Sequence, residues 1–218
     1  VLADADLDAA VAAGVRARFT NCGQVCLAAK RFIVEARIAE EFSARFSVAA
    51  AALRSGDPLL PGTQLGPMAR ADLRDALDAQ IATSLRGGAR LLTGGQRGEG
   101  TGWYYPPTVL ADVTQDMPVA AQETFGPVAA MLTARDADAA VSMANDSAFG
   151  LSAMVWTGDP DRGRELAKEL DVGGVFVNSV TASDPRLPVG GVKLSGYGRE
   201  LGRAGMLELC NTQTVWVA

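Results

Sequence analysis

Histidine is absent from all 218 residues of this chain, and its absence excludes one class of enzyme chemistry. A cysteine–histidine dyad of the protease kind cannot form within the polypeptide, because the imidazole that would accept the thiol proton is missing. A reactive cysteine in this chain must therefore rely on backbone dipoles or on a base that lies elsewhere.

Basic runs and long apolar stretches are also missing. The net charge is −5 and no basic run occurs, which argues against nucleic acid and against an anionic membrane as partners. The longest apolar stretch, residues 48–53, is far too short to span a bilayer. Only three cysteines occur, and this odd number predicts reduced thiols in a reducing, cytoplasmic compartment rather than a disulfide framework.

Helix and strand signals alternate regularly along the chain. Apolar residues at helical spacing predict helices over residues 7–19, 39–53, 70–85, 136–145 and from Pro160 onward. Short apolar runs predict strands over residues 31–35, 89–93, 153–157 and 174–177, and extended segments over 104–113 and 125–132. Strands separated by helices indicate an α/β layered fold with a mostly parallel sheet.

The turn Gly23-Gln24-Val25-Cys26 falls between a predicted helix and a predicted strand, in the kind of exposed connection where catalytic groups often occur. Backbone N–H groups aimed at the Cys26 sulfur would stabilise a thiolate and could later bind an oxyanion beside it. The alternative is a small buried thiol that fills a corner of the core, and we keep that interpretation for Cys22 and Cys210.

Five motifs follow one another in a fixed order. They are Asn21-Cys22-Gly23-Gln24-Val25-Cys26, Glu123-Thr124-Phe125-Gly126-Pro127-Val128, Asn145-Asp146 with Phe149-Gly150-Leu151-Ser152, Gly174-Val175-Phe176-Val177-Asn178, and Pro188-Val189-Gly190-Gly191-Val192-Lys193-Leu194-Ser195-Gly196-Tyr197-Gly198-Arg199-Glu200. Together they resemble the aldehyde dehydrogenase superfamily over essentially the whole chain. The resemblance implies a three-layer α/β catalytic domain built on a mostly parallel, twisted sheet.

The resemblance also implies a role for individual residues. Cys26 would be the nucleophile that attacks an aldehyde carbonyl, and its own backbone N–H would form half of an oxyanion hole. Glu123 would hydrogen-bond the ribose next to the nicotinamide of NAD or NADP, and Phe125 would pack near that cofactor. Asn178 would either hold the geometry around the nucleophile loop or have a purely structural role. No metal site is implied.

Residues 178–188 resemble the substrate-side loop of bacterial succinate-semialdehyde dehydrogenases, in which Thr181 and Ser183 could donate hydrogen bonds to a substrate carboxylate. Three positions depart from that pattern. Thr20 stands where many of these enzymes carry an arginine, Val189 stands where phenylalanine is common, and Asn211 replaces a frequent glutamate. The substrate is therefore open between succinate semialdehyde and other small aldehydes.

In the family, the general-base motif and the dinucleotide-binding domain precede the region that this chain matches. We therefore expect residues 1–190 to be the catalytic domain of a longer protein, which would be a homo-oligomer (a dimer or tetramer). Residues 191–218 would lead to its oligomerisation strand, around residues 214–217. The isolated chain is expected to be inactive, and NAD cannot be distinguished from NADP. Two alternatives stay open: a coenzyme-A-acylating relative, and a non-catalytic fragment or assembly module.

Overall fold

The computed structural model describes residues 1–98 and 100–218. Its helices are α1 (Leu7–Phe19), α2 (Ala39–Ala51), α3 (Ala71–Arg86), α4 (Pro118–Ala121), α5 (Ala137–Asn145), α6 (Pro160–Glu169) and α7 (Gly202–Glu208). Its strands are β1 (Arg31–Glu35), β2 (Arg90–Thr93), β3 (Thr108–Ala111), β4 (Val128–Ala134), β5 (Phe149–Gly150), β6 (Ser152–Val155), β7 (Gly174–Val177) and β8 (Val192–Lys193). The predicted α/β class is confirmed. None of the helices in the described part is long and apolar enough to cross a membrane.

Capping side chains explain where three of the helices begin. Asp6 accepts a hydrogen bond from a backbone N–H in the first turn of α1, and Asp136 does the same for α5. Asp159 accepts from two backbone N–H groups of α6, and Pro160 occupies the first turn of that helix. These starts agree with the starts predicted from the sequence.

The main sheet has the strand order β1–β4–β3–β2. β4 is parallel to both of its neighbours, and β2 pairs antiparallel with β3 at the edge. β4 is almost completely buried, as expected for a parallel strand that is covered on both faces. Phe32 of β1 packs against Phe42 and Phe46 of α2, with ring centroids 6.4 and 4.8 Å apart, and these contacts fix α2 on the sheet.

A second parallel pair, β6 and β7, is linked to the main sheet by the first two residues of the chain. The carbonyl oxygen of Val1 accepts from the N–H of Glu35, the last residue of β1, at 3.0 Å. The N–H of Leu2 donates to the carbonyl oxygen of Trp156 at 2.9 Å, just beyond β6. Residues 1–2 therefore lie between β1 and the end of β6. The short strands β5 and β8 pair antiparallel with each other.

The C-terminal region differs from the prediction. Helix α7 was not predicted, and residues 211–218 form no regular element, although a strand was expected around residues 214–217. The side chains of Val215, Trp216 and Val217 are each more than 70% exposed, at 77%, 88% and 86%. An apolar run becomes a strand only when another backbone supplies its hydrogen bonds, and within the described residues none does so here.

Candidate active site

A left-handed turn carries the candidate nucleophile. α1 ends at Phe19, and the chain then passes through a short 3₁₀ turn, Thr20–Gly23. Asn21, Cys22 and Gly23 all have positive φ angles, of 52°, 56° and 69°. A Cβ atom on Gly23 would lie within 3.0 Å of both the backbone carbonyl oxygen of Gly126 and a guanidinium nitrogen of Arg18. Glycine is therefore required here by its backbone angle and by the close approach of a second chain segment.

Hydrogen bonds on both sides of the turn hold its shape. The N–H of Gln24 donates to the carbonyl oxygen of Asn21 at 3.1 Å, and the Asn21 amide nitrogen donates to the carbonyl oxygen of Gln24 at 3.2 Å. The Gln24 side-chain oxygen accepts from the N–H of Ala69 at 2.8 Å, which ties the turn to the segment before α3. Cys26 lies two residues after Gln24 and is exposed. Among the described residues its backbone N–H has no internal acceptor, so this donor is available to a bound group.

Arg18 connects the nucleophile turn to the segment that contains Glu123. Its side chain comes from the last turns of α1 and is only 1% exposed. Nη2 donates to the carbonyl oxygen of Gly23 at 2.7 Å and to that of Thr124 at 3.5 Å. Burial lowers the pKa of Arg18 to about 10, an effect that the nearby Cys22 opposes. The guanidinium is still protonated at neutral pH and joins two segments that are far apart in sequence.

A cavity of about 460 Å³ brings three of the predicted site residues together. Cys26, Glu123 and Phe125 all line it, and all three are exposed. Phe125 is 38% exposed, so an aromatic side chain is accessible at this cavity. Beyond these residues the cavity extends between β1 and β6 toward α5 and α6. The thiol, the carboxylate and the aromatic ring of the two motifs therefore share one cleft.

The residues of the predicted substrate loop lie outside the lining of this cavity. Thr181 is half-buried, and its Oγ1 lies 3.3 Å from Oγ of Ser152, a residue of β6 that does line the cavity. Ser183 is exposed. The loop therefore approaches the cleft through Thr181, and the roles of Thr181 and Ser183 in substrate binding stay predictions.

Asn178 lies at the end of β7 with a φ of 51°. Its side chain exchanges two hydrogen bonds with the backbone of Thr157: Oδ1 accepts from the N–H at 3.0 Å, and Nδ2 donates to the carbonyl oxygen at 2.9 Å. These bonds join the ends of β6 and β7 and do not reach the nucleophile turn. Both interpretations of Asn178, a role around the nucleophile turn and a purely structural role, stay predictions.

The two other thiols have different surroundings. Cys22 is 4% exposed, and burial raises its pKa to about 12 although the positive charge of Arg18 opposes the shift. The prediction of a small buried thiol in the core is therefore confirmed for Cys22. For Cys210 the same prediction is wrong, because this residue follows α7 in the exposed C-terminal region. All three cysteines are free.

Two of the three positions that depart from the pattern of succinate-semialdehyde enzymes have defined hydrogen-bond partners. The hydroxyl of Thr20 donates to the carbonyl oxygen of Arg16 at 2.7 Å, so it caps the end of α1. Val189 pairs with Glu200 through two backbone hydrogen bonds of 2.8 and 2.7 Å. Thr20 therefore supplies no positive charge for a substrate carboxylate, and its hydroxyl proton is already donated to the carbonyl oxygen of Arg16.

Two residues that border the cleft were not identified from the sequence. Arg18 lies on the buried face of α1, three residues after Val15 and seven after Val11, but an arginine is seldom fully buried, and only the structure places it inside. Lys30 is half-buried, lines the cavity, and donates from Nζ to the carbonyl oxygen of Gln122 at 2.7 Å. Neither residue belongs to a recognisable motif. The carbonyl group of Thr124 lies 106 residues from Arg18 and that of Gln122 lies 92 residues from Lys30, so no local signal could have identified these two contacts.

Known proteins resemble this chain over its full length. It is 56% identical to the NAD(P)+ succinate semialdehyde dehydrogenase Sad of Escherichia coli, covering 99% of this chain and 47% of that protein. It is 46% identical to the NADP+ succinate-semialdehyde dehydrogenase 1 of Mycobacterium bovis, covering 100% of this chain and 48% of that protein. The structure of a Mycobacterium tuberculosis aldehyde dehydrogenase complexed with NAD+ superimposes with a TM-score of 0.91 at 37% identity, covering 95% of this chain and 43% of the other.

The chain thus spans about half the length of the curated relatives that it matches. The family model for the aldehyde dehydrogenase family matches residues 1–215. That match includes both segments that meet at the cleft, the nucleophile turn and the segment around Glu123. The expectation drawn from the five motifs is confirmed: this chain belongs to the aldehyde dehydrogenase family.

Proposed function

We propose that this chain is the catalytic part of an NAD(P)-dependent aldehyde dehydrogenase that oxidises a small aldehyde to a carboxylate, with Cys26 as nucleophile. One observation carries the proposal. The exposed thiol of Cys26 lies beside the available backbone N–H of the same residue, in a cavity that Glu123 and Phe125 also line. A buried thiol, or one remote from Glu123, would have argued against any such chemistry.

The proposed reaction begins at the sulfur of Cys26. As a thiolate, Cys26 adds to the carbonyl carbon of the aldehyde, and the carbonyl electron pair moves to oxygen to give a thiohemiacetal anion. The backbone N–H of Cys26 donates to that oxygen and stabilises the negative charge. Loss of hydride from the carbon reforms the carbonyl group as a thioester on Cys26. Water then attacks the thioester and gives up its two protons, to a general base that would lie outside this chain and to solvent. The carbon–sulfur bond breaks, and the carboxylate and the free thiolate are released.

The side chains at the cleft suit a nicotinamide nucleotide. The Glu123 carboxylate is exposed toward the cavity and can accept hydrogen bonds from two neighbouring ribose hydroxyls. Phe125 offers an accessible aromatic surface next to it. When bound, the nucleotide supplies the acceptor for the hydride. Both NAD and NADP are compatible with these residues, and the cofactor-binding domain would lie mostly outside the chain.

We propose succinate semialdehyde as the substrate, ahead of other small aldehydes. The relatives named above support this choice, and the substrate-side loop places Thr181 next to the cavity. Hydroxyl donors at Thr181 and Ser183 would bind the substrate carboxylate. Because Thr20 replaces the arginine of the usual pattern and its hydroxyl is engaged, these two donors carry more of the recognition here than in enzymes with the arginine.

We also propose a domain organisation, an assembly of subunits and a cellular location. Residues 1–190 would form the catalytic domain, and residues 191–218 would lead to pairing between subunits of a homo-oligomer (a dimer or tetramer). The exposed apolar residues Val215, Trp216 and Val217 suit a segment that is covered by a second subunit. The three free thiols suit a reducing compartment, so we place the enzyme in the cytoplasm.

Steady-state kinetics of the full-length protein that carries this chain tests the proposal. The Cys26→Ala variant should lose at least about 10³-fold in the rate of reduced nicotinamide formation, because the nucleophile is removed. Cys210→Ala is the matched control, since it removes the other exposed thiol, and its rate should stay within about twofold of the parent protein. If Cys26→Ala keeps the parent rate, the proposal is wrong.

Product analysis in the presence of coenzyme A decides between the two enzymatic alternatives. Formation of free carboxylate supports hydrolysis by water. Accumulation of an acyl-coenzyme A thioester would instead identify a coenzyme-A-acylating relative. A full-length protein with no turnover of any aldehyde in a panel would favour the non-catalytic alternative.

A further inference from the structure

The backbone on either side of Glu123 is held at three successive carbonyl groups, each by a side chain from a different element. Lys30, just before β1, donates from Nζ to the carbonyl oxygen of Gln122 at 2.7 Å. Gln80 of α3 donates from Nε2 to the carbonyl oxygen of Glu123 at 3.1 Å. Arg18 of α1 donates to the carbonyl oxygen of Thr124 at 3.5 Å. Residues 122–124 belong to no helix or strand, so they lack the regular backbone hydrogen bonds of such an element. The three side-chain hydrogen bonds take their place.

Lys30 is the most unusual of the three donors. Its ammonium group lies 5.4 Å from the ring centroid of Phe149 and lines the same cavity as Cys26 and Glu123. Burial is the main cause that lowers its pKa to about 8, and the charge of Glu123 opposes this shift. A lysine usually keeps its ammonium group in water. Here the ammonium is drawn inward, over an aromatic face and onto a backbone carbonyl.

Lys30 bonds the backbone next to Glu123 and not the Glu123 carboxylate. Its strong hydrogen bond is made to the peptide that directly precedes Glu123, so it fixes that backbone and leaves the Glu123 carboxylate exposed. The Gln80 amide reinforces the arrangement from the other side, because it donates to the Gln122 side chain at 3.1 Å as well as to the Glu123 carbonyl. Together these contacts fix the backbone that carries the Glu123 carboxylate. None of them is a direct bond to that carboxylate.

We propose that Lys30 is a positioning residue for nucleotide binding: it fixes the backbone of residues 122–124 so that the Glu123 carboxylate is preorganised for the ribose next to the nicotinamide. This inference rests on the proposed function of Glu123. It predicts a defect in nucleotide binding and none in the chemistry of Cys26, since Lys30 acts through the Glu123 segment and not through the nucleophile turn.

The test compares three variants of the full-length protein with the parent. Lys30→Met removes the donor and keeps the apolar stem, Lys30→Arg keeps a cationic donor, and Lys168→Met removes an exposed lysine on α6 as the control. NAD+ and NADP+ are titrated by calorimetry, which reports binding without turnover. Lys30→Met should weaken binding of the preferred nucleotide about tenfold, as expected when a charge-assisted hydrogen bond that orders a binding group is lost. Lys30→Arg and Lys168→Met should stay within about threefold of the parent.

Two further readouts separate positioning from a general structural role. The KM for aldehyde and the rate of Cys26 alkylation by iodoacetamide should be unchanged in Lys30→Met. Equal losses in nucleotide affinity, aldehyde KM and alkylation rate would overturn the inference, because they indicate a disturbed fold. Should Lys30→Met fail to fold, Gln80→Ala serves instead, since it removes the neighbouring donor and should show the same selective loss of nucleotide affinity.

Glu123→Gln distinguishes failure of this inference from failure of the proposed function. If Glu123→Gln weakens nucleotide binding and Lys30→Met does not, Glu123 has its proposed role and the inference about Lys30 is wrong. If neither variant changes the affinity, both the role of Glu123 and the inference about Lys30 are wrong.

Discussion

Replacement of Gly23 by alanine should destabilise the protein more than the same replacement at Gly202, although both glycines have left-handed backbone angles. The φ angles are 69° and 56°, so the conformational strain of an added Cβ is similar and amounts to about 1–2 kcal/mol at either position. The surroundings differ. At Gly202 the nearest heavy atom to an added Cβ is a backbone oxygen of Arg186 at 3.0 Å, whereas at Gly23 the Gly126 carbonyl oxygen and Arg18 lie well inside 3.0 Å.

Because the Gly126 oxygen belongs to the backbone, no side-chain rotation can relieve the contact at Gly23. Overpacking of this kind adds about 1–3 kcal/mol. The free energy of unfolding should therefore fall by about 2–5 kcal/mol in Gly23→Ala and by about 1–2 kcal/mol in Gly202→Ala. The relief of the contact would also move the turn that carries Cys26 relative to the segment that contains Glu123, so kcat should fall as well.

Urea-induced unfolding of the two variants and the parent measures the stability difference, and steady-state kinetics measures kcat. If Gly23→Ala were no less stable than Gly202→Ala and kept the parent kcat, the turn would tolerate a side chain. The close contact between the nucleophile turn and the Glu123 segment would then not constrain the site.

Further outcomes follow from the thiols and from the substrate loop. Iodoacetamide should label Cys26 and Cys210 in the native protein and should label Cys22 only after unfolding, which peptide mass spectrometry detects; native labelling of Cys22 would contradict its burial. Because the folded pKa of Cys22 is about 12 and the ordinary value is 9.0, the unfolded state loses the proton first. Unfolding free energy should therefore fall as pH rises above about 9, and Cys22→Ala should lack that part of the fall in a pH series of urea titrations. Thr181→Val and Ser183→Ala should each raise the KM for succinate semialdehyde about tenfold, and leave the KM for propanal unchanged, because only the former aldehyde carries a carboxylate. Equal KM changes for both aldehydes would refute the carboxylate role.

Much of the fold could be predicted because its signals are local. The Asp6 cap marks α1, and the Asp159-Pro160 pair marks α6. The nucleophile turn was predicted from Gly23 and its neighbours, since a glycine between a helix and a strand indicates a break in regular structure. Neither the antiparallel pairing of β2 at the sheet edge nor the strands β5 and β8 were predicted. A strand of two residues is too short to show a periodic pattern.

The site residues that could be predicted from the sequence are those that belong to recognisable motifs. Cys26, Glu123 and Phe125 were identified from sequence, and they share a cleft. Arg18 and Lys30 were not, because charged side chains are usually exposed and the carbonyl groups of Thr124 and Gln122 come from a distant segment of the chain. Residues 214–217 form no strand in the single chain, because apolar sequence alone does not supply a hydrogen-bonding partner, and their pairing with a second subunit stays a prediction.

The central claim is that the Cys26 sulfur forms a covalent bond with the carbon of the aldehyde. The most direct measurement is mass spectrometry of peptides from the full-length protein, mixed with succinate semialdehyde and NAD+ or NADP+ and quenched in acid within the first turnover. We predict a succinyl thioester on the peptide that contains Cys26, absent when the nucleotide is omitted. Turnover without acylation of that peptide, or acylation of Cys210 in its place, would contradict the account.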